Sequence, residues 1–183
     1  KEKKVLEQWI REGAVWADHW AYVDPVKNPL PKVENKSWAK HWIDYFSLSH
    51  YEREDTNPAP DADPVTLIRR LHFDLTGLPP KSETVDKFVQ NPTSTSYNEL
   101  VNYLLDSKHF GERMAIYWLD LVRYADTVGY HGDQPHNISP YRDWVINAFN
   151  ENMPFDQFTR EQLAGDLLPN STTQQKVASG YNR

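Results

Sequence analysis

From residue 63 onward this chain is punctuated. Apolar residues recur at helical spacing in successive short runs, and each run is fenced by a capping residue, a glycine or one of the chain's 13 prolines. Asp63-Pro64 offers a cap and a first-turn proline. Leu67, Ile68, Leu71 and Leu75 then form a stripe that ends at Gly77, and Pro79-Pro80 blocks any continuation. A short helix is expected over 82–90 with Val85, Phe88 and Val89 inward. Ser96 and Glu99 have capping-box spacing ahead of Leu100, Tyr103 and Leu104. A long helix is read over 108–125. Ser139-Pro140 starts the next, with Trp144, Val145, Ala148 and Phe149 as its stripe. Pro154 starts another, carrying Phe155, Phe158, Leu163 and Gly165, and a last short helix is read over 172–179. No period-two alternation survives beyond a few residues, which excludes a sheet-based architecture. The expected fold is mainly α, an irregular multi-helix domain with an extended proline-containing N-terminal arm.

That arm follows a short opening helix, in which Val5, Leu6, Trp9 and Ile10 have helical spacing and Gly13 suits a C-terminal cap. Pro25, Pro29 and Pro31 then favour an extended path, and Trp16, Trp20 and Tyr22 are expected to pin it by burial. Trp38, Trp42, Ile43 and Phe46 mark a second helix near 37–48, and 51–63 reads as a loop. This divides the chain into 1–35, helix plus arm, and 36–183, a helical domain expected to continue beyond the chain end. The start, KEKKVLEQWI, reads like the middle of a longer protein. A mean hydropathy of −0.76 is low for a globular chain. Seven Trp, ten Tyr and seven Phe supply the large apolar bodies a core needs.

The formal net charge is −6, and Lys and Arg are scattered, so no basic stripe invites nucleic acid. No run approaches the roughly 20 apolar residues of a membrane span. Cysteine is absent, which removes disulfides, thiolate metal sites, cysteine nucleophiles and covalent haem attachment within these residues. No phosphate loop, nucleophile elbow or dinucleotide fingerprint is present.

Residues 118–133, WLDLVRYADTVGYHGD, concentrate polar chemistry at the end of the long helix. Phe110, Met114, Trp118, Leu121, Val122 and Ala125 share its apolar arc. Arg113, Tyr117, Asp120 and Tyr124 fall opposite, with Arg123 at the edge. Asp120 stands i, i+4 to Tyr124 and i, i+3 to Arg123, which makes either an internal polar network or a site. Asp126, Tyr130, His131 and Asp133 follow in a glycine-containing loop. With Asp120, Arg123 and Tyr124 they form the candidate catalytic set. Asp126, His131, Asp133 and His136 are the candidate ligands for a divalent metal, although the spacing matches no specific zinc or calcium pattern. Paired carboxylates among Asp120, Asp126, Asp133 and Asp143 could serve general acid–base chemistry. Against this, Asp143 suits the first turn of the helix begun by Pro140, and Ser139 suits its N-cap.

Several phrases together carry a resemblance: LEQWIREGAVWADHWAY, TLIRRLHFDLTGLPP, HFGERMAIYWLDLVRYADTVGYHGDQ, SPYRDWVINAFNENMPFDQFTREQLAGDLLP and VASGYNR. In order and across nearly the whole chain, they resemble the planctomycete cytochrome-associated family, whose central part is a domain of unknown function. The resemblance implies that the opening phrase is the tail of a preceding cytochrome-c-like domain. It implies an exported protein, periplasmic or at the cell surface. It also implies a haem c carried by flanking segments or a partner chain, with none attached here. His19, His109 and His131 are then the candidate haem contacts. The recurrent phrases include Arg113, Asp120, Arg123, Tyr124, Asp126, Gly129, Tyr130, Tyr141, Arg142, Asp143, Trp144, Arg160, Glu161 and Asp166. Lys81 departs from the small capping residue of many relatives. The implied function is part of a haem-associated redox protein, a subunit or fragment of a haem-dependent oxidoreductase that scaffolds or covers the haem. A carbohydrate-processing or carbohydrate-binding module and a structural or interaction domain are the alternatives.

Overall fold

The structure, a computed structural model, describes residues 2–128 and 132–182. It is mainly helical, and among the described residues the only β pairing is an isolated bridge between Thr127 and Pro135. The chain divides after Pro60 into two compact units.

The first unit holds α1 (Glu2–Arg11) and α2 (Trp42–Arg53). Gly13 ends α1 at φ +96°, a conformation that suits a residue without a Cβ. The proline-rich arm is irregular apart from a 3-10 turn at Trp20–Tyr22. It is not pinned as expected: Trp16, Trp20 and Tyr22 are 82%, 81% and 88% exposed. Burial needs a facing apolar surface, and among the described residues the only buried side chains of this unit, Val33 and Leu48, lie farther along the chain. There the Glu52 carboxylate accepts the Glu34 N–H at 2.9 Å, and Trp38 meets Tyr51 edge-on. The second helix starts five residues later than 37–48. Asp44 Oδ2 accepts the N–H groups of Lys40 and His41 at 2.8 and 2.7 Å, which fixes the start at Trp42. Those two backbone bonds hold the Asp44 carboxyl below its ordinary range.

The second unit begins with α3 (Pro64–Thr76). Asp63 Oδ1 accepts the N–H groups of Val65 and Thr66, and Gly77 closes the helix in the left-handed region. Next come α4 (Ser82–Gln90) and α5 (Ser94–Leu105). Lys81 is the N-cap of α4 and gives no side-chain hydrogen bond, so this helix lacks the cap that a small polar residue supplies. The capping box of α5 is formed by Thr93 and Ser96, three residues earlier than expected, because Ser96 is the third helical residue and not the cap. Phe88 is buried, whereas Val89 faces out.

The core lies between α6 (Lys108–Leu121), α7 (Ser139–Asn150), α8 (Phe155–Ala164) and α9 (Thr173–Ala178). The α6–α7 pairing is the most extensive, and α3 also packs on α6. Gly111 makes the α6–α7 approach possible. A Cβ there would lie 2.4 Å from the Ile146 carbonyl oxygen, while the Gly111 N–H donates to Asn150 Oδ1 at 2.7 Å. Asn150 also donates to the Lys108 carbonyl, so one α7 side chain serves the first turn of α6. Ala115, Tyr141, Trp144, Val145, Ala148, Phe158 and Ala178 fill the centre. Each large side chain contributes about 1.5–3 kcal/mol by leaving water.

His72 on α3 is buried and its Nε2 has no hydrogen-bond partner. Burial holds its pKa below the ordinary 6.5, so the folded protein keeps a neutral imidazole that the unfolded chain would protonate. The resulting stability is fully present above pH 6.5 and is lost as pH falls through the folded pKa. The denaturation midpoint should therefore drop on acidification from pH 6.5, and His72→Leu should flatten that drop. An unchanged slope in the variant would show that His72 is not the group responsible.

Candidate functional site

The long helix stops at Leu121, four residues before the expected end. Val122 is its C-cap and Arg123 has φ +59°. The Tyr124 N–H reaches back to the Leu119 carbonyl at 2.9 Å and the Arg123 N–H to that of Asp120 at 3.1 Å. This is a Schellman closure with arginine where glycine is usual, at a conformational cost of about 1–2 kcal/mol. The same closure ends α2 with Asp55 and α7 with Asn152 in the left-handed position. Tyr124 therefore does not share a helix face with Asp120. Asp120 and Arg123 are exposed, and among the described residues no ion pair joins them. Leu121, placed in the apolar arc by helical spacing, is 69% exposed.

Past the turn, half-buried Tyr124 packs on the core and donates from its hydroxyl to Asp126 Oδ1 at 2.7 Å. Desolvation, and then that hydrogen bond, push its pKa above the usual 10.0. Tyr124 therefore acts as a neutral hydrogen-bond donor at physiological pH, not as a base. The Asp126 carbonyl accepts the His136 N–H at 2.8 Å and the Gln134 carbonyl accepts the Val128 N–H at 3.0 Å, closing the base of the loop. Asp126 and His136 thus stand at that base, and Asp133, at φ +41°, lies on its returning arm. Tyr130 and His131 lie outside the described residues. Among the described residues no group of three or more His, Asp or Glu side chains is arranged to hold a metal ion.

Arg142 adds a cation near this corner. Its guanidinium donates to Asp143 Oδ1 at 2.9 and 3.1 Å, and its pKa is raised by that bond first, with smaller contributions from Tyr124 and Asp126. Asp143 is thus an exposed pairing partner and not a first-turn charge on the helix dipole. Ser139 is the first helical residue, Ile138 the cap, and Ser139 donates to Asn137 Oδ1. The corner presents a tyrosine, two carboxylates and an arginine on an exposed surface. Such groups form hydrogen bonds and surface ion pairs worth about 0–1 kcal/mol.

The internal polar network lies elsewhere. Trp118 Nε1 donates to Gln162 Oε1 at 2.8 Å and to the Tyr141 hydroxyl at 3.1 Å, and that hydroxyl donates to Gln162 Oε1 at 2.6 Å. Gln162 Nε2 returns to the Phe158 carbonyl, so a fully buried amide is satisfied. Burial pushes the Tyr141 phenol up to about 12, which keeps it a donor. Gln162 was not among the expected residues. The signal available in the sequence was indirect: a buried tryptophan and tyrosine each need a polar partner.

Of the expected haem contacts, His109 and His19 differ in the nitrogen they leave available. His109 Nδ1 lies 2.6 Å from Glu112 Oε2 on a partly exposed stretch of α6. A proton held there leaves Nε2 as a free acceptor. His19 Nδ1 instead accepts the Ala21 N–H at 3.2 Å, which places its proton on Nε2 and removes the accepting nitrogen. His131 lies outside the described residues. Below His109, at helical spacing on the same helix, Ile116 and Tyr117 are exposed, and the Arg113 guanidinium lies over the Tyr117 ring at 5.1 Å. A separate groove of about 570 Å³ runs between α4 and α5, walled by Phe88, Leu100 and Tyr103 and edged by Glu83, Lys87 and Glu99.

Residues 42–183 match the family model PSCyt2, described as a protein of unknown function (DUF1549). No curated protein and no solved structure matches the chain. The matched segment takes in α2 and the whole of the helical unit that follows, and it leaves out α1 and the arm. By that match, which spans most of its length, the chain belongs to the PSCyt2 family.

Proposed function

We propose that this domain is a helical scaffold in an exported, haem-associated redox protein, lying against a c-type haem carried by flanking segments or a partner chain. The name of the family supports a cytochrome association. The observation that carries the reading is the His109–Glu112 pair at 2.6 Å. A carboxylate on one imidazole nitrogen fixes the ring and its tautomer, the usual support for a metal-ligating histidine. Ile116 and Tyr117, further along α6, offer exposed apolar surface for the face of a macrocycle. When bound, such a haem supplies one-electron transfer. His109 would be the residue that holds such a group, and Glu112 would orient its imidazole.

A c-type haem peptide with one open axial position should shift its Soret band when added to this chain, and His109→Ala should abolish the shift. The intact native protein, with all flanking segments, should show a c-type spectrum. A native protein without a Soret band, or a haem-peptide response that survives His109→Ala, would remove this reading.

A further inference from the structure

We infer that the cleft between α8 and α9 is a binding site for an organic cation, an ammonium or guanidinium group on a small ligand. The inference stands independently of the haem reading. The cleft is about 340 Å³ and is lined by Asp156, Gln157, Arg160, Glu161, Leu168 and Gln175. Glu161 is its unusual member, because a carboxylate only 6% exposed ordinarily faces a cation. Here both donors are neutral. Gln157 Nε2 reaches Glu161 Oε1 at 3.0 Å from the preceding turn of α8, and Gln175 Nε2 reaches the same oxygen at 3.3 Å from α9. Gln175 is itself held in place, since its Oε1 accepts the Thr172 N–H in the capping box of α9.

One oxygen of Glu161 is thus fixed by two amides, and the other is left over. Among the described residues Oε2 has no hydrogen-bond partner and is not sealed from solvent, and Glu161 is one of the residues that line the cleft. Arg160, the cation on the cleft wall, is engaged elsewhere, with its Nη2 3.2 Å from Asp156 Oδ2. Asp156, Glu161 and Arg160 sum to a formal charge of −1, concentrated on a group with little water around it. The complement is one positive charge carrying an N–H donor, with an apolar stem against Leu168. A hard divalent cation fits poorly. It wants six or more oxygen ligands, and among the described residues no group of three or more acidic or histidine side chains is available.

The test uses the full chain and follows the side-chain amide resonances of Gln157 and Gln175 by NMR. Titration with methylguanidinium or methylammonium chloride should give saturable shifts, with sodium chloride as the ionic-strength control. Glu161→Gln keeps both amide contacts through its remaining carbonyl oxygen and places an NH2 where the cation would sit. It should weaken binding about tenfold or more. Its melting temperature should be no lower than that of the parent, because an uncompensated buried charge has been removed. The proposal is overturned by the absence of saturable shifts, by shifts that persist in Glu161→Gln, or by saturation with calcium chloride alone. A variant that melts earlier or fails to fold also overturns it, by making Glu161 a structural anchor.

Discussion

Replacing Phe158 with alanine should cost about 3–5 kcal/mol of folding free energy, the range for removing a large aromatic from a packed core. Phe158 stands at the centre of three other rings. It stacks on Trp144 at 5.3 Å, meets Trp118 edge-on at 5.0 Å and lies 5.8 Å from Phe149. Those partners come from α6 and α7, so this one α8 side chain ties three helices together. Its loss would also leave the Trp118–Tyr141–Gln162 hydrogen bonds beside a void, since Gln162 is one turn along the same helix. Urea denaturation read by tryptophan fluorescence measures the effect. A loss below about 1.5 kcal/mol would mean that neighbouring rings collapse into the space and that the cluster is looser than its spacing implies.

Gly165→Ala should be comparably damaging, at about 3 kcal/mol, for the opposite reason. Gly165 has φ −60° and ψ −35°, which alanine adopts freely. With open space around it, the substitution would stabilise by about 0.4–1 kcal/mol through the unfolded state. Space is absent: an added Cβ would sit 2.0 Å from the Gln175 carbonyl oxygen and 2.8 Å from its carbon. These are backbone atoms at the start of α9, so relief requires the helix to move. Gln175 would carry its contact with Glu161 away with it. Denaturation midpoints give the sign at once, because a stabilised variant would show that α9 is free to shift.

Much of the helical plan was legible in the sequence. Where a local chemical device marks a boundary, the expected position held: Asp63-Pro64 and Gly77 delimit α3, and Pro79-Pro80 precedes α4. Boundaries were misplaced where the device was local but atypical. Arg123 closes α6 in a left-handed conformation that sequence reading assigns to glycine, so the apolar periodicity runs four residues past the end of the helix. That overrun placed Tyr124 on the same helix face as Asp120, whereas the turn carries it to Asp126. The capping box of α5 failed for a related reason: Ser96 and Glu99 have the right spacing, yet Thr93 and Ser96 hold the start.

The candidate site was legible only as a region. Sequence spacing brought attention to 118–133 and to histidines such as His109. It could not say that His109 pairs with Glu112 while His19 turns its accepting nitrogen inward. Nor could it give a place to Glu161, which only the recurrent phrases named, or find Gln162 beside it on α8. One belongs to an open cleft and the other to the sealed core because they point to different sides of that helix.

The sequence by itself determined the class of fold, the order of the helices and the exclusions that follow from composition: no cysteine chemistry and no basic stripe. These are properties of i to i+4 spacing, capping and proline geometry, which act within a few residues. The tertiary structure decided which aromatics are buried, which polar groups satisfy one another and which carboxylate is buried against neutral amides. Those outcomes depend on contacts between residues such as Trp118 and Gln162 or Glu161 and Gln175, brought together by helix packing and not by spacing along the chain.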